Sequence, residues 1–298
     1  TFIADVSTAQ IASLEVTQDN SVADGAMANT LRARVTDAFG NTLAGQTVSV
    51  TAGNGATVAP TVITGQDGTV EIPVTSQTAG TSAVTASINS STASRNVTFI
   101  ADVSTAQIAS LEVTQDNSVA DGAMANTLRV KVTDAFGNAL GGQTVSVSAG
   151  NGAAVAATVI TGPDGTVEIS VTSQTAGISA VAASINNSSR SQDVTFIPDV
   201  STAKIADLVV IKDGSVADGS MANTLRVKVT DAFGNALAGQ TVSVSADNGA
   251  AVAATVITGP DGTVEISVTS QTAGISTVTA TINNSTLSQN VTFIADVS

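Results

Sequence analysis

The chain has 298 residues, with 24 Asp and Glu against 10 Lys and Arg, giving a net charge of −14 and a pI near 4.1. It has no Cys, His, Trp or Tyr, which excludes a disulfide framework, a thiolate nucleophile, a cysteine metal site and an imidazole general base. Its acidity argues against nucleic acid and anionic membrane surfaces as partners.

Hydrophobic residues make up 43% of the chain and charged residues 11%, too apolar a balance for disorder. No apolar run reaches membrane-spanning length. No charged-then-apolar leader opens the chain, so any secretion signal is expected outside it. Thr-Phe-Ile stands at Thr1, Thr98, Thr195 and Thr292, a period of 97 without insertion or deletion. Successive repeats differ at 16 of 97 positions, so about five positions in six are held at each step. Units of this length are too long for solenoid repeats and large enough to fold alone. Three near-identical surfaces cannot carry three specificities. Function must come from repetition itself, or from one weak site shown several times.

Within the first repeat the apolar period is 2. Ala12, Leu14 and Val16 alternate with Ser13, Glu15 and Thr17. The acidic loop of Asp19, Asn20 and Asp24 follows, and then Leu31, Ala33 and Val35 alternate with Arg32, Arg34 and Thr36. Next come Val48 and Val50, a less regular run over 57–63, and Val70, Ile72 and Val74. Val84, Ala86 and Ile88 precede the closing Val97 and Phe99. These runs predict about seven strands, each with one buried and one wet face. Turn chemistry separates them at Ala23-Asp24-Gly25, Phe39-Gly40-Asn41, Gly53-Asn54-Gly55, Gln66-Asp67-Gly68 and Ala79-Gly80. No stretch has helical periodicity. The pattern predicts an all-β chain of three tandem immunoglobulin-like β-sandwich domains. The Cys and Trp pin of antibody domains is missing, so Ala, Val, Thr and one or two Phe must fill each core. Pro73, replaced by Ser170 and Ser267, is expected at an edge or a bulge.

The order Ala23-Asp24-Gly25, Asn29-Thr30-Leu31, Val35-Thr36-Asp37-Ala38-Phe39-Gly40-Asn41 and Gly45-Gln46-Thr47-Val48 resembles the bacterial Ig-like repeat of the intimin/invasin (inverse autotransporter) family. Gln66-Asp67-Gly68-Thr69-Val70 and Thr78-Ala79-Gly80 fit the same pattern, which recurs in all three repeats. The resemblance implies the extracellular rod of a bacterial cell-surface adhesin, anchored in the outer membrane by a β-barrel outside this segment. It also implies that a distal domain absent here engages the host-cell receptor.

Each candidate site has an architectural alternative. Asp37, Gly40 and Asn41 read as a capped turn before a binding loop. Asp19, Asn20 and Asp24, with Asp5 near the domain junction, offer clustered oxygens for calcium. Their spacing matches no EF-hand loop, and Asn20 becomes Gly214 in the third repeat. Asp67 and Glu71, four apart on a hairpin and strand, do not converge as a glycosidase pair must. An intramolecular Lys–Asn crosslink fails because residues 1–97 contain no Lys. Gly53-Asn54-Gly55 lacks the Lys-Ser/Thr of a phosphate loop. Asn89-Ser90-Ser91 and Asn96-Val97-Thr98 match the glycosylation pattern by chance in a Ser/Thr/Asn-rich chain. No catalytic, cofactor-binding or metal residue is assigned, and no ligand site is identified.

The expected units are 8–104, 105–201 and 202–298, with residues 1–7 ending a preceding domain and linkers of only a few residues. Glu71 is expected to pair across strands with Arg34 or Arg32, Glu168 with Arg129 or Lys131, and Glu265 with Arg226 or Lys228. Three sandwiches of about 35–40 Å joined end to end should form an extended, monomeric rod of roughly 110–120 Å. The expected function is a non-enzymatic stalk. The alternative is that the repeats themselves bind a host protein or glycan through weak multivalent sites. A binder needs an exposed aromatic or Arg cluster, for which Phe39, Phe136 and Phe233 are the candidates, although packing over the turn is another fate for them.

Overall fold

Alternating Val, Ile and Thr give a strand one face to bury and one to hydrate, and the strands lie where that alternation runs. The computed structural model describes residues 4–297. Its first repeat contains β1 (Gln10–Gln18), β2 (Ser21–Val22), β3 (Asn29–Thr36), β4 (Thr47–Ala52), β5 (Thr57–Val58), β6 (Thr61–Ile63), β7 (Thr69–Thr75), β8 (Gly80–Ile88) and β9 (Ser91–Ile100). The same nine-strand order recurs over 107–197 and 204–294.

Each repeat packs a four-stranded sheet, β1-β3-β7-β5, on a five-stranded sheet, β2-β9-β8-β4-β6. Leu14, Leu31, Val35, Ile72 and Val74 from the first sheet meet Val48, Val84, Ala86, Val97 and Phe99 from the second. Phe99, Phe196 and Phe293 are the largest fully buried side chains, taking the place of the missing Trp. Each repeat has its own separate core. The chain is therefore three tandem immunoglobulin-like sandwiches. No helix among the described residues is long and apolar enough to cross a membrane.

Nine strands form where seven were expected, and the reason is sheet switching. The irregular run over 57–63 divides: β5 pairs with β7 in one sheet, and β6 pairs with β4 in the other. The chain also crosses sheets after β1, so that β2 runs parallel to the last strand, Ser21 opposite Phe99. In β1 the alternation slips at two bulges. Ala12 is consequently exposed and Ile11 takes the inward place expected of it; Ile108 and Ile205 are buried there.

Pro73 lies opposite Thr30 in β7, an interior strand, not at an edge. Its other flank is open because β5 ends at Val58, paired with Val74, one residue short of it. The missing N–H therefore costs the sheet little. Of the two partners considered for Glu71, Arg32 stands opposite in register, with Nε 2.7 Å from Glu71 Oε1. Arg129 and Glu168 repeat the pair at 3.6 Å, and Arg226 stands opposite Glu265.

Candidate functional site at the domain joints

Short acidic side chains readily accept from backbone N–H groups, and the Asp residues singled out above do so. Asp19 Oδ1 accepts from the Asn20 and Thr98 amides. Asn20 has a φ of +62°, which explains the glycine at position 214. Asp24 Oδ1 accepts from Ala26 and Met27 at 2.7 Å, and these amides hold its carboxyl below the usual range, Met27 foremost. Asp67 accepts from the backbone amide and then the hydroxyl of Thr69, which lower its pKa, while Glu71 faces Arg32. The two carboxylates thus have separate partners. Among the described residues no three acidic side chains gather as a metal site requires.

Asn54 and Gly55, at φ +49° and +69°, form a β-turn closed by the Ala56 amide on Gly53 O, where the chain leaves β4 for β5 in the other sheet. Asn89, at φ +50°, turns β8 into β9, and its Nδ2 donates to Ala9 O at 3.0 Å. Asn96 is exposed on β9.

The Asp37 turn differs in reaching the segment that leads into its sandwich. Asp37 Oδ1 accepts from the Phe39 and Asn41 amides, and Oδ2 from Asn41 Nδ2 and the Asp5 amide. The Asn41 side chain, above all, holds this buried carboxyl at a pKa of about 2. At Asp231 burial pushes the pKa up, but the Asn235 side chain and the backbone amides outweigh it, so the carboxyl is lowered. The backbone of Asp102 donates to Asp134 Oδ2 at 3.1 Å, and that of Asp199 to Asp231 Oδ2 at 3.2 Å.

The linkers are not loose. Val103–Thr105 and Val200–Thr202 are single 3-10 turns, capped by Asp102 and Asp199. The amide and hydroxyl of Ser104 bond to the Asp102 carboxylate, with the hydroxyl foremost in lowering its pKa. Thr105 Oγ1 accepts from the Ala135 amide, so the linker is fastened to the following sandwich. From the other side, Asn138 Oδ1 accepts from the Ala79 amide at 2.8 Å and its Nδ2 donates to Gln77 O at 2.9 Å. Asn235 does the same to Ala176 and Gln174, at 2.8 and 3.0 Å. Phe136 and Phe233, beside these contacts, are 46% and 45% exposed, while Phe39 in the first sandwich is 86% exposed. Packing over its own turn is therefore not the fate of Phe39.

Residues 11–100, 108–197 and 205–294 each match the bacterial Ig-like domain (group 1). The chain belongs to that family. The inverse autotransporter adhesin YeeJ of Escherichia coli (strain K12) is 34% identical to this bacterial Ig-like chain over 305 residues, 95% of its length. The chain spans only 12% of that relative. The crystal structure of invasin, a bacterial integrin-binding protein, is 25% identical with a TM-score of 0.51, matching 95% of this chain and 60% of that one. FdeC, an Escherichia coli adhesin, shares the fold at 20% identity and a TM-score of 0.58, over 98% of this chain and all of that one. The intimin/invasin resemblance read from the turn motifs is thus the right one, and the relatives of this chain are adhesins.

Sequence reasoning identified the Asp37 turn but missed its outward reach. The available signal was the Asn ending Asp-Ala-Phe-Gly-Asn in every repeat, where many residues could close a turn. It also missed Asn29, fully buried, which accepts from the Ser21 amide and donates to Thr98 O, tying β2 to β9.

Proposed function

We propose that this chain is a stretch of the stalk of a bacterial surface adhesin, whose work is to hold a distal host-binding domain away from the outer membrane. The observation that carries the reading is the pair of joints: each linker is a capped turn pinned to the sandwich that follows, and each joint adds two hydrogen bonds to the sandwich before it. A flexible tether needs none of this; Gly/Ser linkers serve that purpose.

On this reading the units are 8–104, 105–201 and 202–298. Residues 1–7 end a preceding unit, although 1–3 lie outside the described residues. In support, the Asp5 amide meets Asp37 as Asp102 meets Asp134. The chain is monomeric, takes no part in catalysis, and is carried on a β-barrel elsewhere in the full protein. The receptor contact belongs to a distal domain. The rival reading, weak binding by each repeat, requires accessible anchors, and the aromatic candidates at the two joints are half covered.

A solid-phase assay of the three-domain chain against host cells and matrix proteins separates the two readings. The stalk reading predicts no saturable binding. Saturable binding by this chain overturns it.

A further inference from the structure

The three copies of the Asp-Ala-Phe-Gly-Asn turn form a comparison within one molecule. In each, the Asn side chain donates to its Asp at 2.8 Å, and the backbone amides of Phe and Asn bind the other carboxylate oxygen. The turn of the first sandwich forms with these bonds and the Asp5 amide, and its Asn41 side chain reaches no preceding sandwich among the described residues. Asn138 and Asn235 have the same bonds and two more each, to the loop that leads from the β7 strand to the β8 strand of the sandwich before. The extra contacts are therefore not required to build the turn.

Their geometry is also determined in direction. The Asp134 carboxylate and the Gln77 carbonyl only accept, so both must face Nδ2, which leaves Oδ1 for the Ala79 amide. A flipped carboxamide would set three oxygens against one another and lose every bond. With Asp134 fixed in turn by the Phe136 and Asn138 amides and by the linker amide of Asp102, the Asn138 side chain has one orientation to offer the neighbouring domain. It meets the 77–79 backbone as a neighbouring strand would, one acceptor and one donor side by side.

We infer that Asn138 and Asn235 are the positioning residues of the joints: their carboxamides, oriented by Asp134 and Asp231, clasp the preceding sandwich and fix the angle between domains. The inference deepens the stalk reading and rests on it for its purpose. The clasp converts a covalent connection, which alone leaves rotation about the linker, into an attachment at two separated points.

The chain contains no cysteine, so spin labels go only where cysteines are introduced. Arg95→Cys and Gln192→Cys lie on equivalent exposed strand positions of the first and second sandwiches, and pulsed dipolar spectroscopy reads the distance between them. The doubly labelled chain should give one narrow peak. Adding Asn138→Ala should abolish that peak in favour of a broad distribution. Adding Asn41→Ala, which removes the same bond within a turn that contacts no preceding sandwich among the described residues, should leave the peak in place. Asn138→Asp provides a second variant: it keeps the side-chain size and the acceptor but loses donation to Gln77, and should broaden the peak as well. Thermal melts of all variants establish that the sandwiches remain folded. A narrow peak retained in either folded Asn138 variant, or equal broadening by Asn41→Ala, overturns the clasp. A broad distribution in the unmodified chain overturns it too. Neither result depends on the stalk reading, which fails separately if the chain itself binds host surfaces.

Discussion

Ser82, Ser179 and Ser276 are wholly buried in the core, and their hydroxyl oxygens have no hydrogen-bond partner among the described residues. A buried polar group without a partner costs about 1–3 kcal/mol relative to its hydrated state. Replacing all three with Ala should therefore raise the melting temperature, by an increment near 1 kcal/mol per sandwich; a lowered melting temperature would show that the hydroxyls have partners. Asp37 gives the opposite case, a polar group over-supplied with donors. Its folded pKa of about 2 lies below the ordinary 3.8, so the stabilisation it brings is complete above the ordinary value. It is lost as pH falls through 3.8 toward 2. Melting temperature measured across that interval should fall for the native chain and fall less steeply for Asp37→Asn. Asp37 was legible as a capping residue because Asp before Gly-Asn is a local pattern. Asn29 was not, since its partners, Ser21 and Thr98, lie on two strands whose adjacency no local pattern records. Ser82 shares the inward face of β8 with Val84 and Ala86, as alternation implies; what stayed hidden is that its hydroxyl meets no partner there, which depends on the facing sheet.

Strand existence followed from alternation, which depends only on neighbours in the chain. Which sheet a strand joins depends on the whole sandwich, so the division of 57–63 between two sheets and the bulges of β1 emerge only from the structure. The charge pair was half legible: facing strands were expected, and register chose Arg32 over Arg34. Being exposed, it marks register and contributes little to stability. The turn before the second repeat's counterpart of β7, Thr166–Thr172, holds its place more firmly. Gly165, at φ +75°, has Val132 O and Leu140 N where a Cβ would fall, 2.6 and 2.9 Å away. Gly165→Ala should destabilise the second sandwich by at least about 1–3 kcal/mol from the backbone conformation alone, with the backbone clash in addition. Denaturant melts of the variant measure this; an unchanged midpoint would mean the turn relaxes freely.

At the scale of the whole molecule, three closed cores, two pinned linkers and the two Asn clasps all oppose collapse of one sandwich on another. A net charge of −14 distributed over the repeats adds repulsion between them. Near-identical neighbours carry a risk of misfolding with one another during synthesis, which short linkers and local turn chemistry work against. On the stalk reading, these sandwiches are held end to end to give reach. Small-angle X-ray scattering of the three-domain chain tests it most directly. Strands of nine or ten residues at 3.3 Å each, with their end loops, make a rod of roughly 110–120 Å, hence a radius of gyration of about 33 Å. A radius near 19 Å, the value for a compact globule of 298 residues, would contradict it.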